Sequence, residues 1–161
     1  MQISIQVEGL TRLRQRLKAT ADKLQNMRQF WSSVGMYVQR QTIRERFNKE
    51  QSPEGQKWKP LAQSTIRRRK KRHKRGNMKI LQDTGALRRS IAYEAENNSV
   101  KVGSVLKYAR IHQFGGTIHF KKKRGSVTIP ARPFLGVTES EKKHIVSMFG
   151  QYIKRHILGG G

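Results

Sequence analysis

Ile3, Ile5 and Val7 alternate with Ser4 and Gln6, the period of a half-buried strand, and Gly9 closes it. The period then lengthens. Leu10, Leu13, Leu17, Ala21, Leu24 and Met27 recur every three or four residues and predict an amphipathic helix with a basic outer face. A second helix is expected from Phe30 to Phe47, with Trp31, Val34 and Val38 on one stripe and Phe30, Tyr37 and Phe47 adding aromatic bulk. Gly35 within it costs about 1 kcal/mol relative to alanine, and close packing is the expected reason. These stripes suit core or subunit contact, since no polar constellation accompanies them.

From Ser52 to Leu61 the text becomes SPEGQKWKPL. Pro53 and Pro60 forbid continuous helix, Gly55 permits a turn, and Trp58 with Leu61 can pin the loop down. Ser64 is positioned to cap a short helix into the run that follows. In ILQDTGALRRSI, from Ile80 to Ile91, Asp83 or Thr84 can cap a helix start, which turns Ala86, Leu87 and Ile91 inward and Arg88 and Arg89 outward. Ile91, Tyr93 and Ala95 then alternate with Ala92, Glu94 and Glu96, and Asn97-Asn98 is a two-residue turn because asparagine tolerates positive φ. Val100 and Val102 complete that hairpin. A second hairpin is expected from Thr117–Phe120 and Ser126–Ile129, and the residues before Pro130 and Pro133 should be extended.

The C-terminal segment is the best specified. Thr138 and Glu141 have the spacing of a capping box, and Ile145, Met148, Phe149, Tyr152, Ile153 and Ile157 form one apolar face expected to pack across the sheet. Lys154, Arg155 and His156 suit the negative end of the helix dipole, and Gly159 a stop. The pattern gives an α+β fold: a small, mostly antiparallel sheet packed by two N-terminal helices and one C-terminal helix, with exposed basic loops. One domain is expected over 1–161, with a basic loop at 64–79, a basic hairpin tip at 121–125 and a flexible tail at 159–161.

Charge changes the picture most. Against 10 Asp and Glu stand 35 Lys and Arg, a formal +25 over 161 residues, which predicts self-repulsion and attraction to polyanions or acidic proteins. Two runs concentrate it. Arg67, Arg68, Arg69, Lys70, Lys71, Arg72, Lys74 and Arg75 interrupt only at His73, and Lys121, Lys122, Lys123 and Arg124 follow in the second hairpin. A helix through the first run would be cationic on every face and bury nothing, so it must be exposed, disordered or neutralised by a partner. If it meets nucleic acid, neutralising about eight phosphates would give a log–log salt slope of about −7. No aromatics interleave with either run, so such contact would be to backbone.

Catalytic chemistry is poorly served. The chain has no cysteine, which excludes disulfides, thiolate zinc sites and cysteine nucleophiles. No apolar run reaches membrane-spanning length, and the N-terminus lacks a basic-then-apolar signal pattern, so a soluble protein with no membrane partner is expected. Asp83-Thr84-Gly85 also spells an aspartic-protease loop, but Gln82 precedes it, a helix-like LRRSI follows it, and no second such triplet occurs. His112 and His119 lack acidic company for a metal, so a structural His112 near Phe114 and a hairpin His119 are expected. Gly115-Gly116 lacks the Lys-Ser/Thr of a phosphate loop. No enzyme, cofactor or metal is expected.

SPEGQKWKPL, LQDTGALRRSI, YARIHQFGG (Tyr108–Gly116) and ARPFLG (Ala131–Gly136), in this order, resemble the phage virion morphogenesis proteins, the family that includes tail completion proteins of tailed bacteriophages. The resemblance covers about Ser52 to Gly136. It implies a non-enzymatic virion component at the neck or tail end, a homo-oligomeric ring most often of six subunits. Its implied partners are the head–tail connector and tail-tube or tail-terminator proteins, with non-specific contact to packaged DNA. Trp58, Leu81, Asp83, Gly85, Leu87, Tyr108, His112, Phe114, Gly115, Gly116, Arg132, Pro133 and Phe134 match the family's recurrent positions, as fold and ring-contact determinants. The density of the Arg67–Arg75 run departs from the family pattern. The competing class is a free-standing basic nucleic-acid-binding protein that uses Arg67 to Arg75 and Lys121 to Arg124.

Overall fold

The stretch from Arg28 to Phe47 forms one long helical rod, and the rest of the fold is arranged around it. In the computed structural model, which describes residues 10–72, 78–120 and 125–155, α1 spans Leu10–Gln25 and α2 spans Arg28–Gln41. A π-helical turn over Thr42–Phe47 extends α2. There follow α3 (Gln63–Arg72), α4 (Ala86–Arg89), β1 (Ile91–Ala95), β2 (Val100–Ser104), α5 (Ala109–Phe114), β3 (Gly116–His119), β4 (Ser126–Ile129) and α6 (Glu139–Ile153). The expected strand at Ile3–Val7, the end of the first basic run at 73–77, the hairpin tip at 121–124 and the helix stop at Gly159 lie outside the described residues.

The α+β class holds, with the strands as two separate antiparallel pairs, β1–β2 and β3–β4. In the first, Ile91 faces Ser104 and Ala95 faces Val100, and the Glu96 amide donates to the Ser99 carbonyl at 2.9 Å, so Asn97-Asn98 is the turn expected. α2 lies on this hairpin. At Gly35 a β-carbon would come within 2.5 Å of the Tyr93 ring and 2.8 Å of Val100, so the glycine is there for close approach of helix to strands. Gln39 Nε2 donates to the Ile91 carbonyl at 2.6 Å and fixes the contact.

Two apolar clusters result. Met27, Phe30, Val34 and Val38 form the first, joined by Val100 and Val102 from β2 and by Ile145, Met148 and Tyr152 from α6. α6 therefore docks chiefly on α2 rather than spreading across the sheet, because α2 already covers the hairpin. The second cluster centres on Phe47 and Phe134, both with no exposed surface, and takes in Trp58, Ile80, Leu81, Leu87, Ile91 and Ala109. The π-helical turn is what serves both. An added residue in the turn shifts the buried face and sets Arg46 and Phe47 side by side in the interior.

Helix α1 is described only in part. Of its apolar stripe, Ala21 and Leu24 are exposed, the side chains of Leu10, Leu13 and Leu17 lie outside the described residues, and only Met27, beyond its end, is buried. Its described face meets no core within the subunit. The capping box of α6 forms as expected: the Glu141 amide donates to Thr138 Oγ1 at 3.2 Å, and the Thr138 amide to Glu141 Oε2 at 2.8 Å.

Candidate functional site

Three stretches distant in sequence are sewn together, mostly by side chains that reach for backbone. Trp58 Nε1 donates to the Pro133 carbonyl at 2.8 Å, and Arg132 Nε and Nη2 donate to the carbonyls of Lys59 and Pro60 at 2.8 and 2.9 Å. The Arg132 amide donates to the His112 carbonyl at 2.7 Å. Gln113 holds the next two residues: its Oε1 accepts from the amides of Phe134 and Leu135, both at 3.0 Å, and its Nε2 donates to the Leu135 carbonyl at 2.8 Å. The proline-stiffened ARPFLG strip has no ladder partner of its own, so these side chains satisfy its backbone. Gly115, with φ +73°, lies so close that a β-carbon would meet the Ala131 amide nitrogen at 2.8 Å.

Alongside this joint opens a cleft of about 380 Å³ between α3, the Asp83–Gly85 turn, the start of α5 and β4. Leu61, Leu81, Leu87 and Ile129 give it an apolar side; Arg68, Arg69 and Arg132 give it a cationic one, and Asp83, Tyr108, His112 and the exposed Ser64 are among the rest of the lining. Leu81 holds a left-handed backbone at φ +59°, which brings the Asp83 turn beneath α3.

Here the cationic run is corrected. Arg69 is buried, donates from Nη1 to the Lys79 carbonyl at 2.9 Å and lies with Nε 3.6 Å from Asp83 Oδ1; Arg72 pairs with Asp83 Oδ2. The helix thus does bury a residue, because Asp83 neutralises it from within the chain. Asp83 consequently caps no helix, and the Ala86 amide instead donates to Thr84 Oγ1 at 3.3 Å. Ser64 is no cap either, since α3 already begins at Gln63. Arg67, Arg68, Lys70, Lys71 and Arg72 are exposed on α3, whereas Lys74, Arg75 and Lys121 to Arg124 lie outside the described residues.

His112 rests edge-on against Tyr108, ring centres 6.0 Å apart, while Phe114 is 72% exposed. Burial, with the nearby Arg132 charge adding to it, pushes the His112 imidazole below its ordinary pKa. Its Nδ1 is buried with no hydrogen-bond partner among the described residues. Burial, and Arg69 beside it, likewise lower the Arg132 guanidinium. Among the described residues no three metal-ligating side chains cluster, and no helix is long and apolar enough to cross a membrane.

Of the family-matched positions, Leu81, Asp83, Gly85, Leu87, Tyr108, His112 and Arg132 line the cleft. Trp58 and Phe134 fill the core beneath, and Phe114, Gly115 and Gly116 lead out to the second hairpin. Sequence reasoning missed Gln113, the double clamp on ARPFLG, although it stands inside YARIHQFGG. It also missed the buried pair of Arg46 with Glu141, whose Nη1 and Nη2 donate to the two carboxylate oxygens at 2.7 Å each, for which no local pattern gives a signal.

A family described as phage virion morphogenesis matches residues 8–154. Two curated relatives are Mu-like prophage FluMu G protein 2 of Haemophilus influenzae, 44% identical over 75 residues (46% of this chain), and FluMu G protein 1, 34% identical over 103 residues (62% of this chain). The matched stretches span 51% and 62% of those relatives' own lengths. No solved structure matches the chain.

Proposed function

The chain belongs to the phage virion morphogenesis family, and on that premise we propose that it is a non-enzymatic structural component of the virion neck or tail end, acting as a ring of identical subunits that joins connector and tail proteins around the DNA passage. The observation that carries this is the second hairpin. Ile118 and Val127 face each other across β3–β4, and Phe120 lies two residues further along the same face. All three are exposed, while Thr117, His119, Ser126 and Thr128 line the opposite face. A two-stranded ribbon is marginal alone in water, and one with an open apolar face gains stability only when something covers it. Phe114 at its base is exposed as well, which suits contacts between neighbouring subunits.

The basic face of α3 supports the second half of the proposal. Arg67, Arg68, Lys70 and Lys71 are exposed on a chain of net charge +25, open to DNA or acidic neighbours. The free-standing nucleic-acid-binding alternative accounts for that charge and leaves the apolar ribbon without a use.

The test is to silence the reading frame in a phage or prophage that carries it and image the lysate. Filled heads and separate tails that fail to join are expected. Infectious particles at normal yield, lacking the protein, would refute the proposal.

A further inference from the structure

We propose that the cleft between α3 and the Asp83–Gly85 turn is a docking pocket for an acidic segment of a different protein, one presenting a carboxylate beside an apolar side chain. This names the chemistry of a neck partner and so rests on the function proposed above.

The charges in the cleft do not balance. Arg68, Arg69 and Arg132 line it with one carboxylate, Asp83, which Arg69 shares with Arg72. Arg132 is only 7% exposed and spends Nε and Nη2 on the carbonyls of Lys59 and Pro60; among the described residues no carboxylate pairs with it. A buried cation held by neutral oxygens alone leaves a local field that an incoming anion relieves. The buried, unpartnered Nδ1 of His112 lies on the same cleft and is a second polar group awaiting a contact.

The apolar half of the lining decides the class of anion. Leu61, Leu81, Leu87 and Ile129 offer a place for an aliphatic or aromatic side chain next to the guanidinium groups. A phosphodiester backbone is read from an exposed basic stripe and has no apolar group to bury there. A peptide carboxylate suits guanidinium geometry and brings its apolar neighbour with it.

The segment comes from another chain, because a second copy would bring a further +25 to the cleft; of the ten Asp and Glu here, Glu45, Glu96, Glu139 and Glu141 are also already paired with Lys49, Lys101, Lys142 and Arg46.

Fluorescence anisotropy on the full chain tests this, with a labelled short peptide alternating aspartate with leucine and phenylalanine, its asparagine counterpart, and a short DNA duplex. Ser64→Trp blocks the mouth of the cleft from an exposed position without altering charge, and Arg68→Glu reverses one wall. The aspartate peptide should bind at least about tenfold tighter than the asparagine one, and each variant should weaken it by about tenfold. DNA affinity should fall for Arg68→Glu alone. Equal binding of the two peptides, no binding of either, or full affinity in Ser64→Trp would overturn the proposal. Loss of DNA rather than peptide binding in Ser64→Trp would make the cleft a nucleic-acid site and overturn it too. The function proposed above fails separately: absence of the chain from purified virions would sink that proposal whatever the peptide does.

Discussion

Glu141 does two jobs that pull apart under mutation. It closes the capping box of α6 and takes both Arg46 nitrogens inside the protein. Burial by itself would raise its carboxyl pKa; the Arg46 hydrogen bonds and the Thr138 amide outweigh burial and hold it below the ordinary value. Glutamine keeps the box but removes the charge, so Glu141→Gln should cost about 3 kcal/mol in urea unfolding, the cost of orphaning a buried arginine. Because the folded-state pKa is lowered, the pair stabilises fully above the unfolded carboxyl's pKa, about 4.3, and that contribution fades as pH falls through the lower folded value. Wild type should therefore lose stability below about pH 4 more steeply than Glu141→Gln. Gly35→Ala makes a second case at this scale. Alanine favours helix by about 1 kcal/mol, yet its β-carbon would overlap Tyr93 and Val100, so a net loss of about 1–3 kcal/mol is expected in the same assay.

At the scale of elements, Thr138→Ala should cost about 1 kcal/mol, since it removes the side-chain acceptor of the first α6 turn. This helix start and the β1–β2 hairpin were legible in the sequence because their determinants are local: Thr138 with Glu141 three residues on, and alternating Ile91, Tyr93 and Ala95 before Asn97-Asn98. The helix into the basic run was expected as well, but its buried residue was not. Whether Arg69 is buried depends on Asp83 folding back beneath it, a tertiary fact that no periodicity encodes. Pattern also left open what α6 packs on, which is chiefly α2. An apolar stripe states that a face will be covered, and leaves open whether β-strands, another helix or another subunit covers it. In the cleft, the motif phrases supplied most of the lining, while the positive excess within it emerged only once Arg132 was seen tied to the Lys59 and Pro60 carbonyls.

The whole molecule sets apolar surface against charge. Chains of +25 repel, and on the ring proposed above the open face of the β3–β4 ribbon would supply the opposing attraction. Salt should tip that balance, because screening shortens the reach of the repulsion from about 30 Å at 0.01 M to about 3 Å at 1 M and leaves apolar contact intact. Replacing Ile118 and Val127 together by lysine should leave the fold in place, since both are exposed, and remove the contact. The measurement that bears most directly on the ring is therefore the solution mass of the purified chain by light scattering at low and high salt, with imaging of any large species. The expected result is a discrete closed oligomer that gains population as salt rises and is absent from the double lysine variant. A monomer at every salt concentration would contradict it.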